Sequence, residues 1–186
     1  MTETPNPNID PDTLTGDMRP IRPAVLSLGS NAGDRPAILQ GAIEALADTP
    51  EVRIVAVSSV YETTPVDAPD GSPDFFNIIL LVDTTLSVAM LLDRAQAVES
   101  AFGRERRELN GPRTLDVDLI VVGDRLSDSE DLVLPHPRAH ERAFVLVPWY
   151  EIDQRAQIPG RGKIADLLTD IDTSAVVRRD DLELEV

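Results

Sequence analysis

The chain of 186 residues has no cysteine, a single lysine (Lys163) and only 4% aromatic side chains. The lack of cysteine excludes a disulfide scaffold, a thiolate metal site and a cysteine nucleophile. No apolar run approaches the roughly 20 residues that cross a bilayer, and the chain does not open on a basic segment followed by an apolar one. We therefore expect a soluble, cytoplasmic protein that makes no contact with membranes.

Positive charge is also scarce, because 33 acidic residues face 17 basic ones and the net charge is −16. A surface of this sign repels phosphate backbones, which excludes a general nucleic-acid-binding surface. All the basic residues except Lys163 are arginine. This bias reflects either codon usage or a need for planar forks that bind phosphate and carboxylate groups.

Three common catalytic or nucleotide-binding patterns are missing as well. The chain has no Gly-x-Ser-x-Gly elbow, no Walker phosphate loop and no Rossmann glycine fingerprint. It has only two histidines, which are few for a metal-dependent phosphodiesterase. A phosphoryl-transfer enzyme with this sequence must therefore use a different scaffold.

The two ends of the chain differ from its middle. Residues 1–23 contain five prolines and no apolar period, which predicts a disordered N-terminal tail. Residues 164–186 contain one short apolar patch among seven acids, which predicts a helical turn or two followed by a frayed end. The length and the lack of a clear linker predict a single domain over 24–186.

The middle of the chain alternates between strand and helix patterns. Strands are predicted at 24–28, 52–61, 75–82 and 114–122. Asp34 and Ser87 stand where each can cap a helix between two strands. The order β-α-β-β-α-β predicts an α+β fold, a ferredoxin-like sandwich. Both helices would cover one face of an antiparallel sheet and leave the other face free for a ligand. A C-terminal extension follows, with a helical pattern at 139–150.

Asp116 and Asp118 are the strongest chemical signal, because they lie two apart in an apolar strand and therefore share one face. Neighbouring carboxylates repel unless a cation lies between them, and oxygen ligands favour Mg²⁺ or another hard cation. The alternative is a solvated strand face or a charge pair that protects a sheet edge. The entry to this strand contains Arg113, which favours a metal and phosphate site.

An arginine-rich segment precedes this strand. Between Glu99 and Arg113 the chain also carries Arg104, Arg106 and Arg107, so the local charge is positive in an acidic protein. Arginine forks hold phosphate oxygens in pairs. The alternative is a solvated loop with internal ion pairs. Gln96 shares a helix face with Glu99, and both either bind a base or ribose or are solvated.

Two further groups of residues could contact a ligand. Phe75 and Asn77 share a strand face and suit a flat, polar heterocycle, although a core phenylalanine and a satisfied asparagine are the simpler interpretation. His136 follows a proline in a loop, with Arg142 and Phe144 close behind it. A histidine in such a loop either contacts phosphate or is structural.

These motifs, in this order, resemble those of the 6-hydroxymethyl-7,8-dihydropterin pyrophosphokinase family of folate biosynthesis. The most specific segment is Gly-Pro-Arg-Thr-Leu-Asp-Val-Asp at 111–118. Other matching segments lie at 26–31, 58–66, 74–77, 103–106 and 134–144. The resemblance runs from about residue 24 to residue 160. It implies a ferredoxin-like fold and transfer of pyrophosphate from ATP to a reduced pterin, with release of AMP.

The resemblance also implies a role for individual residues. Asp116 and Asp118 would hold two Mg²⁺ ions and, with Arg104 and Arg113, serve in catalysis. The residues implied for ATP are Gln96, Glu99, Arg104, Arg106, Arg113, the backbone of Leu119, His136 and Arg142. The residues implied for the pterin are Thr63, Thr64, Val66, Phe75, Asn77, Asp116 and Phe144, with the two phenylalanine rings on either side of it. Small molecules would be the only partners of an expected monomer.

The chain departs from the family pattern at a few positions. Leu109-Asn110 stands where the family usually has arginine followed by an aromatic residue, Phe75 stands where tyrosine is common, and Pro137 follows His136 where some members have tyrosine. We expect these changes to affect rate and ATP affinity rather than the type of reaction. The alternative from another class is a non-catalytic nucleotide- or pterin-binding module, because ferredoxin-like domains often only sense small molecules.

Overall fold

One antiparallel sheet of six strands organises the chain, which a computed structural model describes over residues 19–65, 70–103 and 114–186. The elements are, in order, β1 (Arg22–Ser30), α1 (Arg35–Ala47), β2 (Val52–Val57), β3 (Tyr61–Thr63), β4 (Phe75–Thr84), α2 (Val88–Ala101), β5 (Asp116–Val122), β6 (Ser127–Asp128), β7 (Val133–Leu134), α3 (Ala143–Ile152), β8 (Gln157–Ile158), β9 (Gly162–Lys163), α4 (Ile164–Leu167) and β10 (Val176–Arg178). The strand order is β10-β3-β4-β1-β5, and β2 also pairs with β4. The predicted α+β class and antiparallel sheet are confirmed.

Both main helices begin at the residues that the sequence indicates. The Asp34 carboxylate accepts a hydrogen bond from the amide of Ala37, and the Ser87 hydroxyl accepts one from the amide of Met90. Such caps satisfy amides that lack partners in the first turn of a helix. The buried faces of α1 and α2 then pack on the sheet through Leu39, Ala42, Ile43, Leu46, Leu91, Ala95 and Val98.

The period of two along each strand separates the sheet into two faces. The inner face, under α1 and α2, carries the apolar side chains of Ala24, Leu26, Leu28, Phe76, Ile78, Leu80, Val82, Val117 and Leu119. The outer face carries the alternate residues of the same strands. At one end these are apolar, and at the other end they are polar.

The prediction that the whole outer face is free is wrong. Helix α3 and the segment after it cover the apolar half of this face, where Leu146 and Trp149 pack against Val25 and Ile79. Only the polar half is left for a ligand. The sequence did indicate the helix, but it could not show which surface the helix would cover.

Several strand boundaries differ from the predicted ones, and one strand of the sheet was not predicted. Strand β1 begins at Arg22, so Arg22 and Pro23 belong to the sheet rather than to the tail. The predicted strand 52–61 is divided into β2 and β3. It breaks at Ser58, whose hydroxyl accepts a hydrogen bond from the amide of Ile79. The charged C-terminal end also pairs with the sheet, because β10 forms a ladder with β3. Residues 1–18 lie outside the described ones.

None of the helices in the described parts of the chain is long and apolar enough to cross a membrane.

Candidate active site

The polar half of the outer face is built from three neighbouring strands. Gly29 of β1 is the register partner of Asn77 on β4 and of Asp116 on β5. Ser27, two residues earlier, is the partner of Asp118. An amide, two carboxylates and a hydroxyl therefore share one patch of sheet. The structure thus brings together the carboxylate pair and the amide that the sequence singled out separately.

Gly29 makes room in the centre of this patch. A Cβ atom at this position would lie 2.9 Å from Oδ1 of Asn77 and 3.5 Å from Cδ1 of Phe75. Distances below 3.0 Å are not tolerated, so any larger residue would displace the amide. A glycine inside a strand often marks such a close approach. The sequence pattern predicts a strand that ends at Leu28, whereas β1 continues through Gly29 to Ser30.

Asn77 and Thr63 form the other side of the patch. The Asn77 amide donates a 2.7 Å hydrogen bond from Nδ2 to the hydroxyl of Thr63, and both side chains are buried. Thr63 is also the register partner of Phe75, whose ring is half-buried beside them. The hydrogen bond fixes the orientation of the amide. A second N–H and a carbonyl oxygen of the amide can then serve a polar ring that lies on Phe75.

The carboxylates of Asp116 and Asp118 are half-buried, and a buried glutamate organises the backbone between them. Glu99 of α2 is 3% exposed, and its carboxylate accepts a 2.8 Å hydrogen bond from the amide of Val117. The possibility that Glu99 is solvated is therefore wrong. Because Val117 separates the two aspartates, this contact fixes the section of β5 that presents them.

The oxygen atoms of this patch fit a magnesium ion that takes some of its ligands from the protein and the others from a substrate. Within residues 19–65, 70–103 and 114–186, no group of three or more His, Cys, Asp or Glu side chains could hold a metal. Asp116 and Asp118 supply only carboxylate oxygens from one strand face. Mg²⁺ is commonly held by one or two carboxylates, with phosphate and water oxygens completing its octahedron.

His136 lies beside β5, next to the carboxylates. Its amide donates a 2.8 Å hydrogen bond to the carbonyl of Ile120. Burial lowers the pKa of His136, the positive charge of Arg142 lowers it further, and the negative charge of Asp118 opposes both effects. The guanidinium of Arg142 also lies 5.5 Å from the ring centre of Phe144 in the first turn of α3. His136 therefore lies near Asp118 and Arg142, and Arg142 in turn lies beside Phe144.

The remaining predicted residues lie outside the patch or outside the described residues. Thr64 and Gln96 are exposed, and Leu119 lies on β5, the last strand in the sheet order of the described residues. The predictions for Val66, Arg104, Arg106 and Arg113, and the departure at Leu109-Asn110, fall in segments 66–69 and 104–113, outside the described residues.

The sequence did not indicate one network that borders the site. The Glu151 carboxylate of α3 accepts hydrogen bonds from the amide and hydroxyl of Ser59 and from the hydroxyl of Tyr61, at 3.1, 2.6 and 3.0 Å. Burial, and then the hydrogen bond to Glu151, raise the pKa of Tyr61 to about 12. Glu151 is 92 residues away from Ser59 along the chain, so no local pattern could have found this contact.

Fold and site together describe an α+β protein whose sheet presents, on one half of a face, a carboxylate pair beside an amide with an aromatic neighbour. A profile of the family described as 7,8-dihydro-6-hydroxymethylpterin-pyrophosphokinase (HPPK) matches residues 25–154. The chain belongs to this family, and it is therefore a pyrophosphokinase.

Individual relatives agree with the family match. A 2-amino-4-hydroxy-6-hydroxymethyldihydropteridine pyrophosphokinase of Methylorubrum extorquens is 43% identical over 157 residues, which covers 83% of this chain and 97% of the relative. The Bacillus subtilis protein of the same name is 40% identical over 134 residues, which covers 72% of this chain and 80% of the relative.

Solved structures show the same fold. A variant of Plasmodium falciparum HPPK-DHPS with pterin and p-hydroxybenzoate has a TM-score of 0.61 at 15% identity and matches 83% of this chain. Another HPPK-DHPS structure, in complex with substrates, has a TM-score of 0.63 at 15% identity and matches 81%. This chain spans 44% of the length of each of those longer chains. At this identity, the likeness shows the fold alone.

Proposed function

We propose that the chain transfers pyrophosphate from ATP to 6-hydroxymethyl-7,8-dihydropterin, which yields AMP and the pterin diphosphate for folate biosynthesis. The observation that carries this proposal is the row of Asn77, Gly29 and Asp116 across three strands. This row places an amide that suits a heterocycle next to a carboxylate that suits a metal ion. The chain belongs to a family of pyrophosphokinases. The arrangement of strands and helices further supports a ferredoxin-like topology.

The pterin would lie on the Thr63, Phe75 and Asn77 side of the patch. Its edge offers donors and acceptors to the Asn77 amide, and its flat ring stacks on Phe75. The hydrogen bond of Asn77 to Thr63 holds the amide before the ligand arrives. Phe144, in the first turn of α3, would cover the opposite side of the ring. The exposed Thr64 and residue Val66 would complete this side.

ATP would lie on the β5 side of the patch. Asp116 and Asp118 would hold two Mg²⁺ ions together with the phosphate oxygens. When bound, these ions neutralise phosphate charge and make a coordinated hydroxyl more acidic. The groups proposed to contact the phosphates are Arg104, Arg106, Arg113, His136 and Arg142. Gln96, Glu99 and the backbone of Leu119 would contact the rest of the nucleotide.

The reaction is a substitution in line at the β-phosphorus of ATP. The pterin hydroxyl oxygen forms the new bond to this phosphorus, and the bond between the phosphorus and the oxygen of AMP breaks. Asp116 accepts the proton of the hydroxyl. Alignment of the two reactants on one rigid patch of sheet can lower the barrier by about 7–11 kcal/mol. Arg104 and Arg113 are proposed to balance the charge that develops on the phosphates.

The test is pterin-dependent formation of AMP. The full chain is incubated with ATP, Mg²⁺ and the reduced pterin, and AMP and the pterin diphosphate are quantified. We expect equal amounts of both products and no AMP without the pterin. Binding of both substrates without AMP would contradict the proposal and favour a non-catalytic binding module. Location in the cytoplasm and a monomeric state stay predictions.

A further inference from the structure

The inner face of the sheet carries a charged cluster directly behind the pterin side of the site. Glu62 is the register partner of Phe76, and both lie on the opposite face from Thr63 and Phe75. The Glu62 carboxylate forms two ion pairs. Its Oε2 lies 2.8 Å from a guanidinium nitrogen of Arg179, and its Oε1 lies 3.5 Å from one of Arg35. We call these four residues, Arg35, Glu62, Phe76 and Arg179, the Glu62 cluster.

The Glu62 cluster is more enclosed than an ordinary surface ion pair. The side chains of Arg35, Glu62 and Arg179 are 24%, 26% and 29% exposed, and Phe76 is 2% exposed. The two guanidinium carbons lie 3.7 Å and 5.1 Å from the centre of the Phe76 ring. Partial burial and stacking on a ring strengthen such contacts relative to solvated pairs. The cluster can therefore hold backbone in place.

The backbone that the Glu62 cluster holds is that of the pterin side of the site. Arg35 donates a 2.6 Å hydrogen bond to the carbonyl of Asp74, the residue before Phe75. The side chain of Asn31 donates to the carbonyl of Pro73 at 3.3 Å. Glu62 itself precedes Thr63. The Glu62 cluster thus holds the backbone at the end of β3 and, with Asn31, the backbone just before β4. Strand β3 ends at Thr63 and β4 begins at Phe75, and both of these residues are proposed to bind the pterin.

Arg179 links the C-terminal segment to this cluster. Its amide donates to the carbonyl of Val60 at 2.8 Å, and β10 pairs with β3 just before it. Two hydrogen bonds to Asp181, at 2.8 and 2.7 Å, orient its guanidinium. Arg179 lowers the pKa of the Asp181 carboxyl to about 2. Both Arg179 and Asp181 lie beyond residue 154, where the family match ends.

We propose that Arg179 is a positioning residue for the pterin: through Glu62 it fixes β3 and the following connection, so the C-terminal segment sets the affinity of the pterin side of the site. This inference rests on the proposed function. Arg179 lies on the inner face and does not touch the ligand. Its loss should therefore weaken pterin binding selectively, because the β5 side of the site has its own supports in Glu99 and His136.

The experiment compares steady-state kinetics of the full chain with those of three variants. Arg179→Met should raise the KM for the pterin about tenfold, the size of effect of one lost charge-assisted hydrogen bond. The KM for ATP and kcat should change less than about twofold. Arg179→Lys should restore most of the affinity. Asp181→Asn, an exposed change that only loosens the guanidinium, should raise the same KM by a smaller factor.

The matched control is Arg53→Met. Arg53 pairs with Asp83 at the far end of β4, so the variant loses an ion pair on the same strand without touching the Glu62 cluster. Its KM for the pterin should stay at the wild-type value. Equal losses in both KM values and kcat, or an unchanged pterin KM in Arg179→Met and Asp181→Asn, would overturn the inference. An inactive wild-type chain would instead contradict the proposed function.

Discussion

The two halves of the outer sheet face are made by the same strands and perform opposite tasks. On β1, Val25 lies under α3 in an apolar cluster, whereas Gly29, four residues later, lies open between Asn77 and Asp116. The covered half excludes water and stabilises the sheet. The open half presents the polar groups that we propose for the ligands. Alternation along a strand therefore places residues on a face, but a distant helix decides whether that face is core or site.

A narrow border separates the two halves. There the carboxylate of Glu151 in α3 accepts hydrogen bonds from Ser59, which lies between β2 and β3, and from Tyr61 of β3. Tyr61 is also the register partner of Asn77. The part of the sheet that α3 covers therefore ends next to Asn77, whose amide we propose to bind the pterin. If the two halves are as separate as the geometry suggests, substitutions in each should affect different measurements.

The largest effect is expected in the open half, for Asp118→Ala. Loss of one carboxylate of the pair should lower kcat on the order of 10³-fold, as when a preorganised charge contact to a transferring group is removed. The melting temperature should change little, because residue 118 is half-buried on the polar half of the outer face and does not belong to the apolar core. AMP release and thermal unfolding measure the two effects. Asp128→Ala, an exposed acid on β6, is the control, and near-normal turnover in Asp118→Ala would refute the metal assignment.

The covered half should respond in the opposite way. Leu146 of α3 is completely buried against the sheet, and Leu146→Ala should cost about 2–5 kcal/mol of unfolding free energy, from lost transfer energy and a residual cavity. Urea titration measures this loss. The pterin KM, measured well below the unfolding transition, should stay constant. Leu126→Ala, at a position that is 69% exposed, should change stability by less than about 0.5 kcal/mol. A large rise in the pterin KM of Leu146→Ala would show that the halves are coupled.

The sequence was sufficient for features that depend on local patterns. The caps at Asp34 and Ser87, the helix stripes and the strands follow from short-range period and side-chain chemistry. The shared face of Asp116 and Asp118, and that of Phe75 and Asn77, follow from the period of two in a strand. The patterns that predict these features each lie within a few residues of the chain.

Features that depend on distant partners could not be predicted in this way. The sequence pattern is compatible with a solvated Glu99, because its partner, the amide of Val117, lies 18 residues away. The acidic C-terminal end forms β10 only because β3 offers it an edge. Arg179 meets Glu62 across 117 residues. Such contacts leave no period in the sequence, since each consists of single residues whose neighbours are ordinary.

The border should show itself in the pH dependence of stability. The pKa of Tyr61 is raised from 10.0 to about 12 in the folded chain, so the folded state keeps a proton that the unfolded state releases. This contribution is complete below pH 10 and is lost as the pH rises towards 12. Between pH 9 and pH 11.5 the wild type should lose about 2 kcal/mol more than Tyr61→Phe. Urea titration at both values measures this loss.

Tyr150→Phe is the control for that titration, because Tyr150 is the other tyrosine of the chain. Its loss of stability over the same range should match that of the wild type. Lys163 is the only lysine, so few other groups titrate near pH 10. If Tyr61→Phe and wild type lost stability equally, the contact between Tyr61 and Glu151 would not hold the two halves together.

The smallest effect is expected at the centre of the open half, for Gly29→Ala. A methyl group there would lie 2.9 Å from Oδ1 of Asn77, so the amide must move while its strand stays paired. The pterin KM should rise about tenfold, equivalent to about 1.4 kcal/mol, with little change in the KM for ATP.

Gly41→Ala is the comparison, because its methyl group would meet the ring of Phe102 at 2.8 Å on the helix side of the sheet. Both glycines are tightly packed, but only Gly29 lies in the patch that we propose for the pterin. A rise in pterin KM for Gly41→Ala as large as that for Gly29→Ala would mean that crowding anywhere in the domain, rather than the position of one amide, controls the affinity.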